Sequence, residues 1–133
     1  MNREELRQFV CARAAGRCEY CRVPELRPRV QRFHVEHIIA RNHGGTDATA
    51  NLAWACQRCN ELKGPNLGSV DPDSREKVWL FHPREHRWDD HFEFQGLRIV
   101  GRTPTGRTTA WLLDFNAEER LMWRRYLRTN GLF

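Results

Sequence analysis

Lysine is nearly missing from this 133-residue chain: 20 of its 22 basic side chains are arginine. Long apolar runs are missing as well. None approaches the length of a membrane span, so no membrane association is expected. The N-terminal residues lack the apolar stretch of a secretory leader, which points to a cytoplasmic location. Repeats and low-complexity tracts are also absent. The length fits a single domain, 1–133, whose modest core would gain from a staple. Acidic groups are outnumbered, giving a net charge of +5 and a pI of about 9.3. That balance favours a polyanionic partner such as nucleic acid, with a generally solvated basic surface as the alternative. Arginine's rigid fork, suited to bidentate phosphate contact, adds some weight to the first.

Cysteine is scarce but ordered. Four of the five cysteines form two matched pairs, Cys18-x-x-Cys21 and Cys56-x-x-Cys59. In a reducing compartment such knuckles converge into a tetrahedral four-cysteine zinc site; redox dithiols are the alternative. The gap between them is too long for a simple zinc ribbon, so something folds inside it. Cys11 lies in a predicted helix and reads as a packing residue.

Residues 2–15 read as a helix capped by Asn2 with Glu5, apolar at Leu6, Phe9 and Val10, and stopped by Gly16. The basic loop 22–32 is either a DNA-facing segment or a solvated connector. Phe33 to Ile39 suits a strand, Gly44-Gly45-Thr46-Asp47 a turn, Leu52 to Ala55 a returning strand, and Asn60 to Lys63 a short helix. Farther on, Asp71-Pro72-Asp73 marks a turn. Phe92 to Val100 reads as a hairpin about Gln95-Gly96. A helix capped by Thr105 runs to Asp114, and another over 117–130 is capped by Asn116 with Glu119. On that last helix Arg120, Arg124, Arg125 and Arg128 share one arc, a phosphate track or a solvated face. Met122, Trp123, Tyr126 and Leu127 share the other, expected to dock on the core.

Taken in order, C-x2-C, V-E-H-I-I, G-G-T-D, N-L and C-x2-C-N-x2-K resemble the HNH endonuclease family over about residues 10–64. The tail L-F-H-P-R…W…H-F…G-R-T-P-T-G-R is similar to the C-terminal extension, 71–133, of a bacterial HNH subgroup. The resemblance implies an α+β chain: a ββα-metal core stapled by zinc, an N-terminal helix, and a hairpin and helical extension packed on the core.

It also implies a reaction, hydrolysis of DNA phosphodiesters with one divalent cation. His37 matches the family's first histidine and would deprotonate water. It must be neutral to do so, so activity is expected to fall as pH drops through roughly 6.5, the ordinary imidazole value. Taken outside its motif, His37 would read as a structural histidine. Asn51 matches the central asparagine that bridges the strands and orients the imidazole. Asn60 stands where the motif's name has histidine, making this an H-N-N variant, and Glu36 stands where Asp or His usually binds the metal. Oxygen ligands from Glu36 and Asn60 suit Mg2+ or Mn2+. A regular strand would send Glu36 and His37 to opposite faces, so sharing one site requires a twist.

Lys63, Arg41, Arg124 and Arg128 are the expected nucleic-acid contacts. His34 reads as a packing or supporting group and His43 as an exposed loop residue. His82, His86 and His91 match no ligand spacing, and their aromatic neighbours suggest packing. The expected protein is therefore a backbone-directed DNA endonuclease, monomer or homodimer. Its rivals are a non-catalytic zinc module that binds nucleic acid without cutting, and an adaptor whose arginine helix meets an acidic protein.

Overall fold

The computed structural model describes residues 1–26 and 31–133, so the basic loop 22–32 lies partly outside the described residues. The chain forms two compact units, Met1–Pro65 and Asn66–Phe133. Both mix helices with a few short antiparallel strands, an α+β architecture. Among the described residues no helix is long and apolar enough to cross a membrane.

In the first unit, α1 (Arg3–Arg13) opens with the expected capping box between Asn2 and Glu5. Of its apolar face only Val10 is buried; Phe9 is exposed, with the Arg13 guanidinium 5.3 Å above its ring. Strands β1 (His34–His37) and β2 (Leu52–Ala55) pair antiparallel, His34 opposite Ala55 and His37 opposite Leu52. All of β2 is buried, and Trp54 packs against Phe33 with its face under the Arg7 guanidinium. Glu19 supplies the strand's outer edge: its N–H donates to Trp54 O and its carboxylate accepts from Trp54 N–H. Helix α2 (Gln57–Lys63) follows at once, capped by the Cys56 sulfur. The loop from β1 to β2 folds back tightly at Gly45, where a Cβ would stand 1.6 Å from Ile39 O. Only glycine fits there.

In the second unit, β3 (Gly68–Val70) pairs with β4 (Lys77–Trp79), a hairpin of which the sequence showed only the turn. Helix α3 (Trp88–His91) leads into β5 (Phe92–Gln95), which pairs with β6 (Arg98–Gly101) about Gly96, as expected. Helix α4 (Pro104–Leu112) is capped by Thr103, two residues before the expected Thr105. It packs on β6 so closely that a Cβ on Gly101 would lie 2.2 Å from Arg107 N. Phe81, Trp88, Phe92, Ile99, Leu113, Phe115 and Leu127 form the core.

Helix α5 (Glu118–Thr129) corrects the expectation for both of its faces. Arg120 and Arg124 are buried, 7% and 0% exposed, whereas Met122 and Tyr126 are exposed. The physical reason is carbonyl demand. The helix ends and turns beneath α5 leave C=O groups without partners, and a buried acceptor left unpaired costs about 1–3 kcal/mol. Arg120 donates to Leu113 O, and Arg124 donates to Leu97 O and Phe115 O. With Leu127 one turn on, these form the inward stripe. The predicted Asn116 cap is also absent: Ala117 occupies the cap position, and the Asn116 side chain bonds Ile99 instead.

Candidate functional site

The knuckles bring the four cysteines together. Cys18, Cys21, Cys56 and Cys59 are buried, none is in a disulfide, and their sulfurs all lie within 4.8 Å of one another. Around a tetrahedral ion with bonds of about 2.3 Å, sulfurs would sit about 3.8 Å apart; Cys21 Sγ and Cys56 Sγ are 3.7 Å apart. Burial pushes the Cys18 and Cys59 thiols well up, opposite to what a nucleophilic redox dithiol needs. A cation is what would stabilise thiolates there. The donor set therefore fits a structural metal such as zinc.

The His37 loop lies beyond this cluster. Successive side chains of a strand leave opposite faces, and Glu36 is buried where His37 is partly exposed. Glu36 turns inward and is 4% exposed. Its Oε1 accepts from the Tyr20 hydroxyl at 2.5 Å and its Oε2 from Lys63 Nζ at 2.8 Å. Burial raises the Glu36 pKa, opposed by Lys63 and Tyr20. The expectation for Glu36 is thereby corrected: a carboxylate with both oxygens committed to a buried ammonium and a phenol does not fit as a cation ligand. Lys63 is corrected with it. Its ammonium is 2% exposed and donates to Glu36 and to Ile38 O, out of reach of a phosphate. Both errors share a cause, since a helix-end lysine four residues past Cys59 reaches back under the strand.

His37 turns outward, its side chain 23% exposed. Its Nε2 lies 2.8 Å from Asp47 Oδ1, and Arg41 Nη2 donates to the same oxygen at 2.8 Å. These contacts hold the Asp47 carboxyl below its usual range, the His37 hydrogen bond first. Asn51 ties the loop together. Its Oδ1 accepts from Ile39 N–H, and its Nδ2 donates to Ile39 O and Thr46 O. It acts on the two arms of the loop without a bond to the imidazole itself. A cleft of about 470 Å³ opens here, bordered by Glu36, His37, Arg41, Asn42 and Asn60. The three residues expected to converge thus border one cleft, although the Glu36 carboxylate faces away from it.

Residues 18–66 match the HNH endonuclease family. The matched segment begins at the first zinc-type cysteine and ends just past α2, so it holds both knuckles, the His37 loop and the cleft. No curated protein and no solved structure matches the chain. Outside the HNH segment, Arg124 is corrected as a nucleic-acid contact because it is buried among carbonyls. Arg128 is exposed but donates to Gly96 O. His34 bonds Gln57, and His43 is exposed. His82 and His86 use Nδ1 to accept backbone N–H groups, which leaves the proton on Nε2 of a neutral ring and does not suit metal ligation through Nε2.

Sequence reasoning missed Asp47 and Tyr20. Asp47 was visible only as a turn residue and Tyr20 only as a knuckle spacer. Neither spacing signals a partner on another element.

Proposed function

We propose that the HNH segment hydrolyses phosphodiester bonds in DNA, with His37 as general base. The observation that carries this reading is a partly exposed imidazole at the mouth of a cleft, beside the exposed guanidinium of Arg41. In the neutral form His37 takes the proton of a water attacking phosphorus as the P–O ester bond breaks, and the leaving oxygen takes a proton from solvent. Arg41 is placed to hold a nonbridging oxygen with its planar fork. Asn51 keeps the loop in register, and Asn60 presents an amide at the cleft's edge. The four cysteines hold zinc and keep β1, β2 and α2 together. Mg2+ or Mn2+ is the family's usual Lewis acid, but Glu36 as placed does not serve it, so the need for such an ion is decided by assay.

Supercoiled plasmid with Mg2+, Mn2+ or chelator is the test, comparing wild type with His37→Ala at equal fold and zinc content. Wild type is expected to give nicked circles, and the variant to nick at least about 100-fold more slowly. Equal nicking by both proteins would mean a contaminant and end the reading. The Glu36–Lys63 pair favours one rival, a zinc module that binds nucleic acid without cutting. It predicts salt-sensitive binding to duplex DNA with no nicking under any ion.

A further inference from the structure

His37 closes β1, and its partner Asp47 stands on the far arm of the same loop. An ionised carboxylate can only accept hydrogen bonds. The contact at 2.8 Å therefore places a proton on His37 Nε2. In a neutral imidazole the remaining lone pair is then on Nδ1. Arg41 grips the same Asp47 oxygen from the other side, so two donors fix the carboxylate's position.

An exposed pair of this kind is weak alone. Asp47 and Arg41 are 61% and 71% exposed, so the backbone must set the distance. Asn51 does so: it bonds Ile39, two residues after His37, and Thr46, one residue before Asp47. Gly45 lets those arms approach as side chains elsewhere would not allow.

We propose that Asp47 is the positioning residue for His37, holding the Nε2–H tautomer and ring angle so that Nδ1 receives the proton of the attacking water. The proposal rests on His37 being the general base. It gives Asn51 a defined task, which is to set the spacing between imidazole and carboxylate. It also gives Arg41 two partners, Asp47 in the free protein and phosphate when DNA arrives.

The test combines ring nitrogen NMR on the full zinc-loaded chain with plasmid nicking kinetics. Wild type is expected to show His37 as the Nε2–H tautomer. Asp47→Ala should mix the tautomers and lower kcat about 10- to 100-fold with KM nearly unchanged. Asp47→Asn keeps an acceptor oxygen and should recover the tautomer and most of kcat. Asp47 is exposed, so the backbone spectrum of either variant should match wild type, which separates positioning from folding. An Nδ1–H tautomer in wild type would overturn the proposal. So would an unchanged kcat in Asp47→Ala, or a change confined to KM, which would place Asp47 in substrate contact. Failure of the base assignment looks different: His37→Ala then nicks as fast as wild type, whatever tautomer His37 adopts.

Discussion

Two asparagines make the same pair of bonds in the two units. Asn51 accepts from Ile39 N–H at 2.9 Å and donates to Ile39 O at 3.0 Å. Asn116 accepts from Ile99 N–H and donates to Ile99 O, both at 2.8 Å. Each amide imitates one residue of a paired strand, Asn116 on the open edge of β6 and Asn51 on the segment just past β1. The support behind them differs. The first unit holds four cysteines whose arrangement fits a structural metal. In the second, Arg124 Nη2 donates to Asn116 Oδ1 at 3.2 Å and to Phe115 O at 2.7 Å, a fixed charge carried by the chain itself. One device serves the loop bearing the proposed base His37, the other a packing core. On the proposed function, the chemistry sits in the unit whose scaffold would depend on a metal at its four cysteines.

Removing the metal should break that comparison most completely. Structural zinc contributes about 10–16 kcal/mol of apparent folding free energy in small sites at neutral pH. A strong chelator is expected to abolish amide-exchange protection across 1–65 while leaving 66–133 protected, read by exchange with mass spectrometry. Protection lost together in both would mean that the units fold as one and that the contrast drawn here is wrong.

The mirror experiment removes the second unit's anchor. Arg124→Met fills similar volume but supplies no donors, leaving the carbonyls of Leu97 and Phe115 without this partner. At about 1–3 kcal/mol for each buried acceptor left unpaired, a loss of roughly 2–6 kcal/mol is expected. Denaturation monitored at 66–133 should report it, with the cysteine unit unmoved. A loss under about 0.5 kcal/mol, the usual range for surface substitutions, would show the guanidinium to be surplus.

How much of this was legible in the sequence follows the range of the signals. The capping box at Asn2, the turn at Gly96 and the cysteine knuckles are written in residues close together, and they came through. The family pattern singled out Asn51, whose bonds tie the two arms of the loop without reaching the imidazole. What failed were long cationic side chains. Arg7, Arg13, Arg17, Arg102, Arg120, Arg124 and Arg128 all donate to backbone carbonyls. A helical arc of arginines therefore looked like a surface, and the chain's positive charge looked more available to phosphate than it is. Lys63 failed for the same reason: periodicity records where a side chain starts, while its ammonium ends under another element. Asp47 failed because its partner lies across a loop whose folding no local pattern encodes.

A finer contrast compares the two amides directly. Asn51→Asp and Asn116→Asp each keep the acceptor and lose the donors. Both should cost about 1–3 kcal/mol in their own unit. Only Asn51→Asp is expected to lower plasmid nicking beyond its effect on the folded fraction, because only that amide spaces His37 from Asp47. Equal loss of nicking from both variants would erase the functional distinction between the units.

The smallest expected effect is a pH dependence of opposite sign in the two units. Asp71 is fully buried, its carboxylate gripped by Arg107 Nε and Nη2 and by the Ser74 hydroxyl. The Arg107 hydrogen bonds hold its pKa far below the ordinary carboxylate range. A depressed folded value means that the unfolded chain takes up the proton first. The stabilisation is thus complete above about pH 4 and drains away as pH falls toward the folded value. Glu36 is raised by burial, so through that group falling pH favours the folded form. Acid weakness of the first unit then comes from Asp47, whose carboxyl is held below its usual range, and from protonated cysteines releasing metal. Asp71→Asn should flatten the acid limb of the second unit's stability curve below about pH 4, measured by denaturant titration, and leave the metal-loaded first unit's curve unchanged. An acid limb that survives in Asp71→Asn would move the cause to another carboxylate.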